Sequence, residues 1–324
     1  MMPENMSQAK ELAPRNRAAV LDGAPVAEAI KREVAEEVAR LLEVHDVRPG
    51  LAVVRVGDDP ASAVYVRSKV RTSEALGLHS EHHALAETTP TAELLELVHR
   101  LNRRDEIDGI LVQLPLPRAV DEARVLEAVD PEKDVDGFHP LNVGRLALGQ
   151  AALAPCTPAG IIELLVRSEI PLSGARACVV GRSNIVGRPL AQLLLRHDAT
   201  ITICHSRTRD LAAVTREADI LVAAIGRTGF IKGEHIKPGA IVVDVGINKV
   251  TDERTARELF GAEELEKRLE KIAQHGYTLA GDVHPAEADA VAGKRTPVPG
   301  GVGLLTVAML MRNTVDAAKR RRKM

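Results

Sequence analysis

The chain predicts an α/β protein of two units, each built on a parallel sheet. Three observations carry that expectation. The length of 324 residues exceeds what one ordinary core holds. Short apolar runs rich in Val and Ile alternate with stretches of helical period. A glycine-punctuated turn, Gly181-Arg-Ser-Asn-Ile-Val-Gly187, separates one apolar run from a helical one.

In order along the chain, Asp22 and Pro25 open a helix to about residue 44, with Val26, Ile30, Val34 and Val38 at near-helical spacing. Residues 51–56 read as a buried strand closed by Gly57-Asp-Asp-Pro60, and a helix follows over 62–76. Thr91 is expected to cap a helix reaching about Asn102. Residues 109–114 read as a second buried strand, stopped by Pro115 and Pro117, followed by a helix over 121–129 and an irregular stretch from Pro131.

The second unit starts near Pro155-Cys-Thr-Pro158, with Thr157 and Pro158 suited to the cap and first position of a helix. Strands are expected over 176–180, 200–204, 220–224 and 241–245, with a helix from Leu190 to Leu195 after the glycine turn. Residues 251–275, rich in Glu, Lys, Arg and Leu, read as an exposed helical insertion. A sharp loop, Pro297-Val-Pro-Gly-Gly-Val-Gly303, precedes a last helix from Leu304 to about Lys319. The basic run Lys319-Arg-Arg-Arg-Lys323 reads as a frayed, solvated helix end, with attraction of an anionic partner as the alternative.

A net charge of −2 offers no broad basic surface, so nucleic acid is not the expected partner. Absent Trp, with two Tyr and three Phe, leaves a mostly aliphatic core. Cys156, Cys178 and Cys204 form no C-x-x-C pair and read as small buried thiols in a reducing compartment, with no metal site. No apolar run approaches a membrane span, and residues 1–17 read as a flexible tail without a signal-peptide core. A cytoplasmic protein with no membrane partner is expected.

A strand that turns through glycines into a helix start aims backbone N–H groups and the positive dipole end at a phosphate. Gly181 allows the tight turn and Gly187 close helix–strand packing. The spacing is one residue longer than G-x-G-x-x-G, with Ser183 near the middle glycine's place. The next strand ends in His205-Ser-Arg-Thr208 where an NAD-preferring fold usually carries Asp or Glu for the ribose 2′-hydroxyl. A hydroxyl and a cation stand there, and Arg182 adds a second cation. The implied cofactor is NADP.

Tyr65 and Lys69, four apart on a predicted helix, project from one face. The lysine suits acid–base work and the tyrosine a flat ring to cover. An ordinary amphipathic helix edge is the other reading. Gln113, polar at the carboxyl end of an apolar strand, sits where this architecture places ligands and can orient the lysine. Asp134 and Asp136 could each bind an amino-pyrimidine edge or form an Asx-type turn.

Seven ordered motifs then coincide: Tyr65-Val-Arg-Ser-Lys69, Gln113-Leu-Pro-Leu-Pro117, Lys133-Asp-Val-Asp-Gly-Phe-His139, Pro155-Cys-Thr-Pro158, Gly181-Arg-Ser-Asn-Ile-Val-Gly-Arg-Pro189, Asp244-Val-Gly-Ile-Asn248 and the loop of residues 297–303. Together they resemble the bifunctional methylenetetrahydrofolate dehydrogenase/methenyltetrahydrofolate cyclohydrolase family, over about residues 20–315. The resemblance implies oxidation of 5,10-methylenetetrahydrofolate to the methenyl cation with NADP, then hydrolysis to 10-formyltetrahydrofolate, within one-carbon metabolism and purine biosynthesis. It implies Lys69 as the central group of the hydrolytic step, helped by Gln113, with Tyr65 stacking on the folate and Asp136 holding its pterin end. Gly181, Arg182, Ser183, Ser206 and Ile247 match positions that contact NADP.

The implied architecture is a catalytic, folate-binding domain over 18–154, joined by a returning C-terminal helix over 304–324, and a Rossmann-type NADP-binding domain over 155–303. A homodimer through the nucleotide domain is implied. The chain departs from the family at Leu304-Leu305, where Pro-Met is common, at Ala24, where Lys is common, and in the length of 251–275. A different two-domain NADP-dependent dehydrogenase of a small hydroxy acid, or a catalytically silent nucleotide- or folate-binding relative, are the alternatives.

Overall fold

A computed structural model describes residues 17–324. The first unit opens with β1 (Ala19–Val20), α1 (Gly23–His45), β2 (Gly50–Val56), α2 (Pro60–Ala75) and β3 (His79–Leu85). It continues through α3 (Thr91–Asn102), β4 (Gly109–Val112), α4 (Glu122–Ala128) and α5 (Pro140–Ala147). Its sheet is three parallel strands in the order β3-β2-β4.

The second unit runs α6 (Cys156–Arg167), β5 (Arg176–Val180), α7 (Gly187–Arg196), β6 (Thr200–Cys204), α8 (Leu211–Thr215), β7 (Ile220–Ala223) and β8 (Ile241–Asp244). Then come β9 (Asn248–Val250), α9 (Glu253–Leu259), α10 (Ala262–His275), β10 (Thr278–Ala280), α11 (Pro285–Val291), β11 (Lys294–Arg295) and α12 (Val302–Arg322). Six parallel strands order as β1-β11-β8-β7-β5-β6, and β9 and β10 form a separate antiparallel ribbon. Ala19–Val20, expected with the first unit, therefore pairs with β11 in the second sheet.

Strand alternation builds the core. Ala52, Val54, Ile110 and Val112 turn to one face, under Leu94, Val98 and Leu101 of α3 and Val125 of α4. Leu51, Val53 and Leu111 turn to the other, where α1 presents Ile30, Val34, Val38 and Leu41. That second layer continues through α6 and α12 to Val179, Val222 and Val243 of the second sheet, so one aliphatic core spans both units. The last helix packs against both α1 and α6 and touches β2 and β4, as a returning helix should. Within it, buried Asn313 donates through Nδ2 to the carbonyls of Val135 (2.8 Å) and Ala154 (2.9 Å).

Several expectations are corrected. The polar strand β3, with three histidines in seven residues, escaped the apolar signal because it is a sheet edge with one wetted face. The stretch after Pro131 contains α5, started by Pro140 with His139 as its cap. Thr91 and Thr157 do not cap: Pro90 and Pro155 hold those places, the Thr91 hydroxyl accepts from the Asp121 N–H (3.1 Å), and that of Thr157 pairs with Thr306 (2.8 Å). Residues 251–275 form two helices, α9 and α10, folded over their own small core of Ala256, Leu259 and Phe260 with Leu265, Leu269 and Ile272.

The basic end is helical and only partly solvated: Arg320 and Lys323 are exposed, but Arg321 and Arg322 turn inward. Helix α12 continues to Arg322, and both Arg321 and Arg322 bond the fully buried carboxylate of Asp108 at the start of β4. Helix α12 also starts two residues earlier than expected, so Leu304 lies inside its first turn and Leu305 packs against Gly160 of α6. Residues 1–16 of the expected tail lie outside the described residues. Arg17 is held by Glu263, Glu264 and Asp289.

Candidate active site

Helix α2 sets Tyr65 and Lys69 one turn apart. Tyr65 is 40% exposed, whereas Lys69 is only 8% exposed, so the pair is not a solvated helix edge. Gln113 follows β4 directly, its N–H extending the ladder to the carbonyl of Val54 (2.8 Å). Its Oε1 accepts from Lys69 Nζ at 2.9 Å, and its Nε2 donates to the carbonyl of Leu114 at 2.7 Å. Bonds at both ends of the amide settle which end faces the lysine.

The segment after α4 is anchored by Lys133, whose buried Nζ donates to the carbonyls of Leu101 (3.2 Å), Asn102 (2.7 Å) and Arg104 (2.7 Å). The two aspartates then separate by role. Asp134 accepts from the N–H groups of Phe138 (3.1 Å) and His139 (2.9 Å) and from Asn142 Nδ2 (2.9 Å), which makes it the turn former. Asp136 lies near Lys69 and the buried thiol of Cys156. Burial pushes its carboxyl up to about 6, the positive Lys69 pulls it down, and neighbouring Asp134 pushes it up.

On the other side of the cleft, the carboxyl ends of the parallel strands share one edge, the ordinary ligand edge of such sheets. Gly181 leaves β5 at φ 130, and a Cβ there would sit 2.1 Å from the carbonyl oxygen of Ala224. A Cβ on Gly187 would sit 2.2 Å from the carbonyl oxygen of Gly181. Both glycines are therefore required by close approach of backbone. Ser183 Oγ accepts from the N–H groups of Val186 (3.2 Å) and Gly187 (3.3 Å), which tightens the turn and leaves its own hydroxyl proton free to donate.

Arg182 and Ser206 are exposed beside this turn, and Ser206 follows the buried end of β6. His205 accepts through Nδ1 from the N–H of Arg207 (3.1 Å), while its own N–H donates to Thr208 Oγ1 (2.8 Å), shaping the loop that presents Ser206. Exposed cations, a hydroxyl and a glycine cradle fit a nucleotide with a phosphate on its 2′-oxygen.

A cavity of about 270 Å³ lies between the walls, lined by Val64, Tyr65 and Ser68 of α2, by Ile247 and Leu279, and by the loop of residues 297–303. Tyr65 and Ile247 thus face one space from opposite units. Lys69, Gln113 and Asp136 are outside its lining and group together beside it, Lys69 following the lining residue Ser68.

The sequence reading gave no role to a carboxylate pair that shapes the nucleotide side. Asp244 accepts from the N–H groups of Gly246 (3.0 Å), Asp282 (2.8 Å) and Val283 (2.9 Å), and burial pushes it up to about 7. Asp282 accepts from the N–H groups of Ile225 (2.7 Å), Gly226 (2.9 Å) and Arg227 (2.8 Å) and from Asn248 Nδ2 (3.0 Å). Together they tie the loops after β7, β8 and β10. Two isolated acids in apolar surroundings, 38 residues apart, were the available signal.

Residues 21–136 match the family model described as tetrahydrofolate dehydrogenase/cyclohydrolase, catalytic domain, and residues 155–322 match the NAD(P)-binding domain of the same family. The chain is 58% identical to the bifunctional protein FolD of Koribacter versatilis over 305 residues, 94% of this chain and 98% of that protein. It is 49% identical to the bifunctional protein FolD of Acetivibrio thermocellus, over 95% of this chain and 99% of that one. Among solved structures, the bifunctional methylenetetrahydrofolate dehydrogenase/cyclohydrolase of Campylobacter jejuni superposes with a TM-score of 0.84 at 41% identity, covering 94% of this chain and 99% of that one. The Trypanosoma brucei enzyme, solved with NADP cofactor and an inhibitor, superposes with a TM-score of 0.85 at 38% identity, covering 96% and 100%.

Proposed function

Because this chain belongs to the tetrahydrofolate dehydrogenase/cyclohydrolase family, we propose that it oxidises 5,10-methylenetetrahydrofolate with NADP and hydrolyses the methenyl product to 10-formyltetrahydrofolate in one site. The observation that carries the reading is the buried Lys69 held by Gln113 beside Asp136, next to a cleft in which Tyr65 faces Ile247.

NADP, when bound, supplies the acceptor for a hydride from the methylene carbon. Gly181, Arg182, Ser183 and Ser206 would hold its phosphates, with Ile247 an apolar platform beside the reacting ring. Tyr65 covers the folate ring and excludes water from one face. Asp136 accepts from the amino-pyrimidine edge, which fixes the folate against Lys69. Lys69 Nζ moves a proton between the attacking water and the opening ring, and Gln113 keeps that nitrogen aimed.

The proposed division is residues 18–154 with the helix 304–324 for folate and 155–303 for the nucleotide, with α12 bridging both. No helix among the described residues is long and apolar enough to cross a membrane. All three cysteines are free thiols, and Cys178 and Cys204 stand 3.6 Å apart unjoined, which supports the reducing cytoplasm as its place. The exposed edge strand β6, with Ile203 outward, supports a homodimer through the nucleotide domain.

A spectrophotometric assay with 5,10-methylenetetrahydrofolate and NADP, with chromatography of the folate products, tests the reading. Reduction of NADP together with appearance of 10-formyltetrahydrofolate is expected. Turnover of a small hydroxy acid in its place, or no turnover, overturns it.

A further inference from the structure

Helix α10 reads from its sequence as a solvated excursion, yet it sends one side chain inward against the backbone of two segments that wall the cleft. Arg268 is mostly buried, its guanidinium 4.4 Å over the ring of Phe260. Its Nη1 donates to the carbonyl of Leu279 at 3.0 Å, and its Nη2 to the carbonyl of Val298 at 2.9 Å and to Glu264 at 3.2 Å. Leu279 and Val298 both line the cleft cavity. Leu279 lies in β10, paired with Lys249 of β9, so it stands on the ribbon that continues from Ile247. Val298 belongs to the loop leading into α12, where Pro297 and Pro299 offer no N–H to bond anything.

We propose that Arg268 is a positioning residue for the folate cleft, a strut by which the α9–α10 insertion holds the ribbon and the loop of residues 297–303 at a fixed separation. The planar fork suits that task, because two carbonyls are met from one rigid group whose stacking on Phe260 sets its plane. Glu264 completes the mounting, since it also binds Arg17. Removing the fork unties the two walls from each other while leaving Lys69 and Gln113, which sit on α2 and after β4, in place. The loss falls on binding of the folate and not on the hydrolytic step. This inference rests on the reading of the cleft as a folate site.

The test uses the full chain with Arg268→Ala and Arg268→Lys. Arg268→Ala is expected to raise the folate KM about tenfold, the worth of a hydrogen bond or two, with kcat kept within about threefold. Arg268→Lys is expected to recover part of the loss. The chain holds no Trp, so Leu304→Trp places a single fluorophore at the loop's exit into α12. Acrylamide quenching of that residue is expected to increase when Arg268→Ala is added. An unchanged folate KM alongside a lowered melting temperature would show a purely structural role and overturn the proposal, as would unchanged quenching. Should Arg268→Ala fail to fold, Arg268→Met keeps an apolar stem over Phe260 and takes its place. If the unsubstituted chain fails to turn over methylenetetrahydrofolate, the functional reading falls, while quenching still decides whether Arg268 ties the loop.

Discussion

Lys69 Nζ donates to Oε1 of Gln113 at 2.9 Å, a side-chain bond between a helix and the end of a strand 44 residues away. The amide is itself fixed by its bond to the Leu114 carbonyl, so its oxygen is held toward the lysine. Lys69→Met is expected to lower cyclohydrolase activity about 10²–10⁴-fold, the usual contribution of an acid–base group, with fold and NADP binding kept. Gln113→Ala should fall between that variant and the unsubstituted chain. Stopped-flow hydrolysis of the methenyl compound measures both, and near-normal hydrolysis in Lys69→Met would remove the lysine from its role.

Arg182 stands exposed at the glycine turn, with no carboxylate at the end of β6 to prefer a free 2′-hydroxyl. Arg182→Ala is expected to raise the KM for NADP about 10- to 100-fold, matching roughly 1.5–3 kcal/mol for a hydrogen bond to a charged group. The KM for NAD should barely move. Equal changes for both cofactors would place the 2′-phosphate elsewhere.

Asp136 gives the folate side a pH dependence. Its burial raises the carboxyl to about 6, and only the ionised form accepts both hydrogen bonds of an amino-pyrimidine edge. The folate KM is therefore expected to climb as pH falls through about 6, and Asp136→Asn should flatten that profile while raising KM throughout. Stability moves the other way. The folded state holds the proton more tightly than the unfolded chain, so this group's contribution is full below the unfolded value of 3.8 and lost as pH rises through about 6. Thermal melts of Asp136→Asn against pH check the second half, and a melt difference that does not vary with pH would contradict it.

The end of α12 is expected to matter for the whole fold. Arg321 and Arg322 are the cations bonded to the buried carboxylate of Asp108, which otherwise accepts from the N–H of Gly50. Replacing both with Met removes the two cations hydrogen-bonded to that carboxylate and should cost roughly 3–5 kcal/mol, as loss of one partner of a buried ion pair does. Adding Asp108→Asn should recover part of it. Urea denaturation of these two variants and of Asp108→Asn alone reads the cycle, and a loss that Asp108→Asn leaves untouched would mean that the arginines act elsewhere.

What the sequence determined by itself was whatever depends on neighbours close along the chain. Val- and Ile-rich runs specified β2, β4, β5, β6, β7 and β8 but not the polar or very short strands β1, β3 and β11, because only an apolar run of several residues carries that signal. The four-residue step from Tyr65 to Lys69 specified a shared helix face, and Gly181 and Gly187 marked a turn with no space for a side chain. Tertiary structure decided the roles that depend on distant partners. Asp134 and Asp136 are equivalent in local pattern, where the family resemblance alone singled out Asp136, and the closing of the turn onto Phe138, His139 and Asn142 is what made Asp134 structural. The terminal arginines read as solvated until Asp108, more than 200 residues earlier, met them at 0% exposure. Arg268 looked like one more charge on an exposed helix until Leu279 and Val298 offered it carbonyls. A charged side chain advertises its charge locally, but its cost or gain on burial is set by what the fold places against it.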